Sequence, residues 1–138
     1  MSPFMTRIVQ IGVGLERMMY LLLTTLILQH VCACLWIFIA RYDEIDKNNW
    51  IFINNYDDHG IFKIYMLALY FTVTTIMTVG YGDISAYNSL EMAYCIFLML
   101  IGVVSFSYTT GALSSIIASS DSKSALLKDK LGTLHDIS

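Results

Sequence analysis

The chain contains three apolar stretches separated by charged residues. Between Arg17 and Arg41 lie 23 residues without an acidic side chain, a lysine or an arginine. As a helix they extend about 34 Å, enough to cross the roughly 30 Å hydrocarbon core of a bilayer. A signal peptide would have a shorter apolar core and a small-residue cleavage site. The pattern therefore predicts an outer transmembrane helix over about 8–40.

A second long apolar stretch lies between Glu91 and Asp121, where 29 residues carry no formal charge. Its helical length of about 43 Å exceeds what one crossing needs. We predict an inner helix over 89–120. Gly102 and Gly111 lie within it. Each is either a point of close helix packing or a hinge at which the helix bends.

The middle stretch, residues 64–82, does not have the character of a span. Helix-forming residues end near Met77, and a glycine-rich segment follows at once. The helical part extends only about 21 Å, so it enters the membrane and returns to the same face. Non-helical backbone at that depth must be covered by protein or line a water-filled path. We therefore predict an all-α membrane protein with two transmembrane helices, a re-entrant pore helix over 61–77 and a pore.

Composition agrees with a membrane protein. Hydrophobic residues make up 57% of the chain and charged residues 14%, against about a quarter charged in soluble domains. The net charge of −3 gives no indication of nucleic acid binding. The three cysteines lie in apolar stretches and resemble small core residues. The spans contain no nucleophile–base pair, metal cluster or paired carboxylates, so we expect no enzyme.

Charge outside the spans predicts the topology. Two spans place both termini on one side, and the flanks 1–18 and 121–138 hold five Lys/Arg against three in 41–63. This bias favours cytoplasmic termini. The outer loop, 41–60, is acidic, and in a ring of subunits its charge would raise the local cation concentration. An ordinary solvated loop explains the charge equally well. The acidic residues are Asp43, Glu44, Asp46, Asp57 and Asp58.

The segment TVGYGD, residues 78–83, carries the candidate chemistry. A dehydrated cation needs oxygen atoms in place of its water, and rings of backbone carbonyls supply them. Successive carbonyls point to one side only if some residues adopt φ values that are unfavourable for L-amino acids. Gly80 and Gly82 provide that freedom, and the Thr78 hydroxyl can add a further ring of oxygens.

This segment matches the signature sequence of potassium channels. The run 67–71, leading into Thr74 and Thr75, resembles the pore helix of six-helix potassium channels. Residues 100–102 and 111–117 resemble the inner helix of the cyclic-nucleotide-binding-domain superfamily, which includes ether-à-go-go, plant inward-rectifier and hyperpolarization-activated channels. Residues 29–36 resemble their outer helix, and 121–138 resembles the start of their C-linker. The resemblance covers nearly the whole chain.

The resemblance implies a potassium-selective pore subunit that works as a homotetramer, or together with longer subunits, in the plasma membrane. No cofactor other than permeant K⁺ is expected. The selectivity filter would be Thr78, Val79, Gly80, Tyr81 and Gly82, with K⁺ held at the first four and Asp83 at the outer mouth. Phe106 and Thr110 share a helix face that would line the inner cavity, or else pack against lipid or helices. Ser114 and Ile117 continue that face, and we expect a gate there.

Two other hypotheses remain beside a conducting channel. The voltage sensor and nucleotide-binding domain of the superfamily lie outside this sequence, so the chain could be a non-conducting subunit that regulates longer relatives. A membrane enzyme has little support.

Hyperpolarization-activated channels, which also pass sodium, carry Cys-Ile in place of Thr78-Val79, and this difference favours strict potassium selectivity. His30 is expected to be neutral and hydrogen-bonded to a neighbouring helix, and Trp36 and Trp50 to lie at the membrane interface.

Overall fold

The computed structural model describes residues 3–42 and 47–137, and all regular structure in these ranges is helical. Helices α1 and α4 are long and apolar enough to cross a membrane, whereas α3 is a shorter apolar helix. The prediction of an all-α protein with two candidate membrane spans is confirmed. The helices are α1 (Pro3–Tyr42), α2 (Trp50–Ile53), α3 (Ile61–Ile76) and α4 (Ser89–Ile137).

Helix α4 extends further than the sequence pattern predicted. It is one continuous helix of 49 residues, whereas the inner helix was predicted over 89–120, and it includes 121–137, the segment that resembles the start of a C-linker. Residues 118–131 contain neither proline nor glycine, so nothing in the local sequence ends the helix after 120. Helix α1 likewise begins before the predicted start at residue 8, because Pro3 suits a first helical position.

The described residues form two compact units. One unit is Leu23–Ser107, which contains α2, α3 and the adjoining parts of α1 and α4. The other, here the terminal unit, joins the part of α1 up to Leu22 to the part of α4 from Tyr108 onward. Within the terminal unit the two helices approach closely, since a Cβ on Gly14 would lie 3.8 Å from the Ile116 side chain.

An aromatic cluster forms the centre of the Leu23–Ser107 unit. The ring of Trp36 stacks on Phe71 at 4.5 Å, on Trp50 at 5.6 Å and on Tyr94 at 5.7 Å between centroids. These rings come from four different helices, so one cluster ties all four together. Trp36 and Trp50 are both 0% exposed. Their rings are covered by the chain itself, and their position at the membrane interface stays a prediction.

The loop between α1 and α3 contains the short helix α2. Asn49 begins it, and its side-chain oxygen accepts hydrogen bonds from the N–H groups of Ile51 and Phe52. These bonds satisfy two of the donors that a helix N-terminus leaves free. The loop acids Asp57 and Asp58 are exposed, whereas Asp43, Glu44 and Asp46 lie outside the described residues.

Candidate functional site

The C-terminal end of α3 is tied to the segment that follows it. The N–H of Thr78 donates to the carbonyl of Thr75 (3.2 Å), and the N–H groups of Val79 and Gly80 both donate to the carbonyl of Thr74 (2.9 and 3.1 Å). These carbonyls belong to the last turn of α3, which lacks partners within the helix. These bonds fix the position of residues 78–80 relative to the end of α3.

Backbone dihedral angles alternate in sign along this segment. Thr78, Gly80 and Gly82 have φ values of 61°, 59° and 79°, whereas Val79 and Tyr81 do not have positive φ. In an ordinary strand successive carbonyls point to opposite sides, whereas a row of carbonyls on one side needs some residues with positive φ. Glycine adopts positive φ freely, but for threonine the conformation costs on the order of 1–3 kcal/mol. We expected positive φ at the two glycines and did not foresee it at Thr78.

The segment is exposed within the single chain. Val79 and Tyr81 are 53% and 70% exposed, and Thr78, Gly80, Gly82 and Asp83 are exposed as well. An aromatic contact also joins the segment to α3, since the rings of Tyr81 and Tyr70 are parallel with centroids 6.4 Å apart.

Residues 83–88 lead from this segment back to α4. The N–H of Ile84 donates to the Asp83 side chain at 3.1 Å, and the Ile84 side chain is buried in the core. Asn88 precedes α4 and accepts a hydrogen bond from the N–H of Glu91 at 2.8 Å. An asparagine with glutamate three residues later is the pattern of a helix start. Sequence reasoning did not single out Glu91.

Gly102 lies at the contact between α4 and the end of α3. A Cβ at this position would lie 3.1 Å from the Cα of Ile76 and 3.4 Å from the carbonyl oxygen of Thr75. Gly102 therefore packs closely against the end of α3, and its role as a hinge stays a prediction. At Gly111 a Cβ would meet nothing within 4 Å in the described part of the chain, and α4 continues through it. The hinge interpretation stays a prediction for Gly111.

An apolar cavity of about 730 Å³ lies beside this contact in the Leu23–Ser107 unit. Thr75 and Thr78 line it from one side, and Met99 and Val103 of α4 from the other. We had not predicted Met99 or Val103 as site residues. Their spacing of four places them on one face of α4, but sequence alone does not say which face meets α3.

The predicted cavity and gate residues all lie in α4 and are exposed. Phe106 belongs to the Leu23–Ser107 unit, whereas Thr110, Ser114 and Ile117 belong to the terminal unit. Ile117 also lines a cavity of about 510 Å³ together with Arg7 and other residues of α1. Exposure of these residues in the single chain agrees with a helix face that is available to line a pore. The roles of the cavity and gate residues stay predictions.

His30 contacts α3. Its Nδ1 atom and the hydroxyl of Tyr65 are 2.6 Å apart, and the two rings lie 5.6 Å apart between centroids. This is the hydrogen bond to a neighbouring helix that we expected of a histidine in the middle of a span. As for metals, residues 3–42 and 47–137 contain no group of three or more His, Cys, Asp or Glu able to hold an ion.

Comparison with known proteins identifies the family. Residues 20–119, most of the chain, match the family model described as "Ion channel". The chain belongs to this ion channel family. Its two apolar helices are those of a membrane protein. Similar proteins include potassium channel KAT4 of Oryza sativa subsp. japonica, 32% identical over 115 residues, and potassium channel AKT1 of Arabidopsis thaliana, 29% identical over 113 residues. The resemblance to potassium channels is thereby confirmed.

The ion channel relatives are much longer than the aligned region. The alignment covers 82% of this chain but 20% of KAT4, and 80% of this chain but 13% of AKT1. With potassium channel AKT2 of Oryza sativa subsp. japonica, 35% identity extends over 70% of this chain and 12% of the relative. The similarity therefore concerns only a limited part of each relative's length.

Proposed function

We propose that this chain is the pore subunit of a potassium-selective channel, with residues 78–82 as its selectivity filter. The observation that carries the proposal is the alternating φ at Thr78, Gly80 and Gly82 in an exposed segment directly after a short apolar helix. The potassium channels among the relatives support it. Asp83 lies at the outer mouth.

The filter passes K⁺ by replacing its water. Carbonyl oxygens of Thr78, Val79, Gly80 and Tyr81, together with the Thr78 hydroxyl, form successive rings of oxygen around the ion. Binding at several adjacent sites lets each ion enter readily and leave again. The hydrogen bonds from residues 78–80 to the end of α3 hold the inner end of the filter in place, so the oxygens need little rearrangement when an ion arrives.

Four copies are needed to complete the site. One segment cannot surround an ion, and in a single chain residues 78–83 are exposed backbone. Such backbone is stable at membrane depth only when protein or a water-filled path covers it. A closed ring of four subunits, or of this chain with longer channel subunits, surrounds the ion and covers this backbone. In that ring α3 is the re-entrant pore helix, α1 faces outward and α4 lines the inner pore.

The gate belongs to the second half of α4. Phe106 and Thr110 line the inner cavity, and Ser114 with Ile117 forms the constriction, where an apolar ring closes by excluding water. Gly111 is the bending point, because no side chain packs against it within the described residues. The protein lies in the plasma membrane with both termini cytoplasmic, as the Lys/Arg count favours.

Purified chain in a planar bilayer tests the function. Under mixed K⁺ and Na⁺ gradients the reversal potential should follow the K⁺ gradient. Comparable permeability for the two ions would overturn the selectivity. Absence of current from assembled chain, with current appearing only beside a longer relative, would favour the regulatory-subunit hypothesis instead.

A further inference from the structure

Glu91 is a buried carboxylate that the proposed conduction mechanism does not use. It lies in the first turn of α4 and is 0% exposed. Burial of a carboxylate is costly unless hydrogen bonds replace its water. Here Oε1 accepts from the N–H of Trp50 at 3.1 Å, and Oε2 accepts from the N–H of Tyr87 at 3.0 Å. Both carboxylate oxygens therefore accept backbone donors.

These two donors lie far apart along the chain. Trp50 begins α2, where the N–H has no partner within the helix. Tyr87 lies near the end of the segment that returns from the filter to α4. Two further bonds run in parallel: the amide of Asn48 donates to the Tyr87 carbonyl at 3.3 Å, and the amide of Asn88 donates to the Asn48 carbonyl at 3.0 Å. Glu91 is thus the centre of a clamp between the α1–α3 loop and the return segment.

We propose that Glu91 is a positioning residue for ion selectivity, an inference that rests on the proposed channel function. The inner end of the filter is held by α3, through the bonds from residues 78–80. The outer end continues into residues 83–88, which contain no helix or strand. Burial of Ile84 and the clamp at Tyr87 fix that return path. By fixing it, Glu91 sets how far the outer carbonyl rings stand from the pore axis.

A carboxylate is the group this clamp requires. Two N–H donors need two acceptors, and glutamine offers one oxygen and one NH₂. In Glu91→Gln, an amide donor faces a backbone donor whichever way the side chain turns. The variant keeps nearly the same volume but loses one buried hydrogen bond. Asp58→Asn is the matched control, since it removes the same charge from an exposed position of the loop between α1 and α3.

The test uses the full chain in planar bilayers at single-channel resolution. We expect Glu91→Gln to lower the ratio of K⁺ to Na⁺ permeability, because the outer carbonyl rings are no longer held at one distance from the pore axis. Asp58→Asn should keep the ratio of the unmutated chain. A purely structural role for Glu91 would reduce the number of channels and leave the permeability ratio of each channel unchanged.

A second variant covers the case in which Glu91→Gln does not assemble. Asn48 is exposed, and Asn48→Ala removes the side-chain bond to the Tyr87 carbonyl while Glu91 keeps both of its backbone donors. A smaller decrease in the same permeability ratio would support the clamp. The inference is overturned if assembled Glu91→Gln channels match Asp58→Asn, or if Glu91→Gln fails to assemble and Asn48→Ala leaves the ratio unchanged. Lack of K⁺ selectivity in the unmutated chain would instead overturn the proposed function.

Discussion

Among single residues, Thr78 departs most from what its side chain favours. Its φ of 61° is close to the 59° of Gly80, although threonine is branched at Cβ. The glycines could be foreseen, because glycine is the residue that adopts positive φ at little cost. The strain at Thr78 could not be foreseen, since it depends on the bonds from Thr78 and Val79 to the carbonyls of Thr75 and Thr74.

At Gly80 the backbone angle matters rather than the available space. A Cβ there would meet nothing within 4 Å in the described chain, but φ is +59°. Gly80→Ala should therefore cost roughly 1–2 kcal/mol per subunit in the filter conformation and abolish conduction or selectivity. Reversal potentials in mixed K⁺ and Na⁺ measure this.

Gly12→Ala is the control for Gly80→Ala. Gly12 also has open space, lies within α1 and has no positive φ. Alanine there should leave the permeability ratio unchanged. Equal K⁺ selectivity in Gly80→Ala and Gly12→Ala would contradict the role assigned to residue 80.

At the scale of elements, α4 packs against the end of α3, directly before the proposed filter. Gly102 brings the backbone of α4 against Ile76, the last residue of α3. The bounds of α3 could be predicted closely, as 61–77 against Ile61–Ile76, because a glycine-rich segment must end a helix. Whether Gly102 is a packing point or a hinge could not be predicted from the sequence. Both interpretations rest on the same property, the absence of a side chain.

Substitution of this glycine tests the contact. Gly102→Ala would place a Cβ 3.1 Å from the Ile76 Cα, so the helices must separate slightly, and we expect a loss of about 1–3 kcal/mol. Gly111→Ala, in open space on the same helix, should be neutral or stabilise by about 0.5–1 kcal/mol. Thermal unfolding in detergent compares the two variants, and equal stability would argue against close packing at 102.

The gate prediction also concerns one element, the second half of α4. Cysteines placed at Ser114 and Ile117 should react with cytoplasmic thiol reagents faster in open than in closed channels, because the constriction excludes water when shut. Cys34→Ser provides the background, since Cys34 is exposed whereas Cys32 and Cys95 are buried. Equal reaction rates in both states would move the gate elsewhere.

At the scale of the whole molecule, exposure of residues 78–83 is the main reason to expect assembly. The detergent-solubilised protein should have four times the 15.6 kDa mass of one chain, besides bound detergent. Light scattering or native mass spectrometry measures this. A stable monomer or dimer as the sole species would rule out a pore formed by this chain alone.

The distribution of charge over the molecule predicts weak voltage dependence for this chain on its own. A sensor needs charge that moves through the field, worth about 2.3 kcal/mol per elementary charge per 100 mV. No Lys or Arg lies within 18–40, 64–82 or 92–120. Open probability in planar bilayers should therefore change little with voltage, apart from rectification. A steep curve needing several gating charges would reveal a sensor within the chain.

What the sequence by itself determined is what local pattern can encode. Uninterrupted apolar length predicted α1 and α4, because a bilayer sets a minimum length for a crossing helix. The short third stretch, which ends in TVGYG, predicted a filter. Backbone oxygens can replace the water of an ion, and the glycines allow the backbone angles that this requires. Both follow from neighbours along the chain.

Only the tertiary structure decided which distant residues meet. The sequence predicts that Trp36 and Trp50 lie at the membrane interface, and only the fold shows that four helices bring their aromatic rings together in a buried cluster. In sequence, Glu91 resembles an ordinary surface acid. In the fold, its carboxylate accepts a hydrogen bond from the N–H of Trp50, which is 41 residues away. Hydrophobic periodicity indicates which face of a helix is apolar but not what that face contacts. The clamp between the α1–α3 loop and residues 83–88 is therefore seen only in the folded chain.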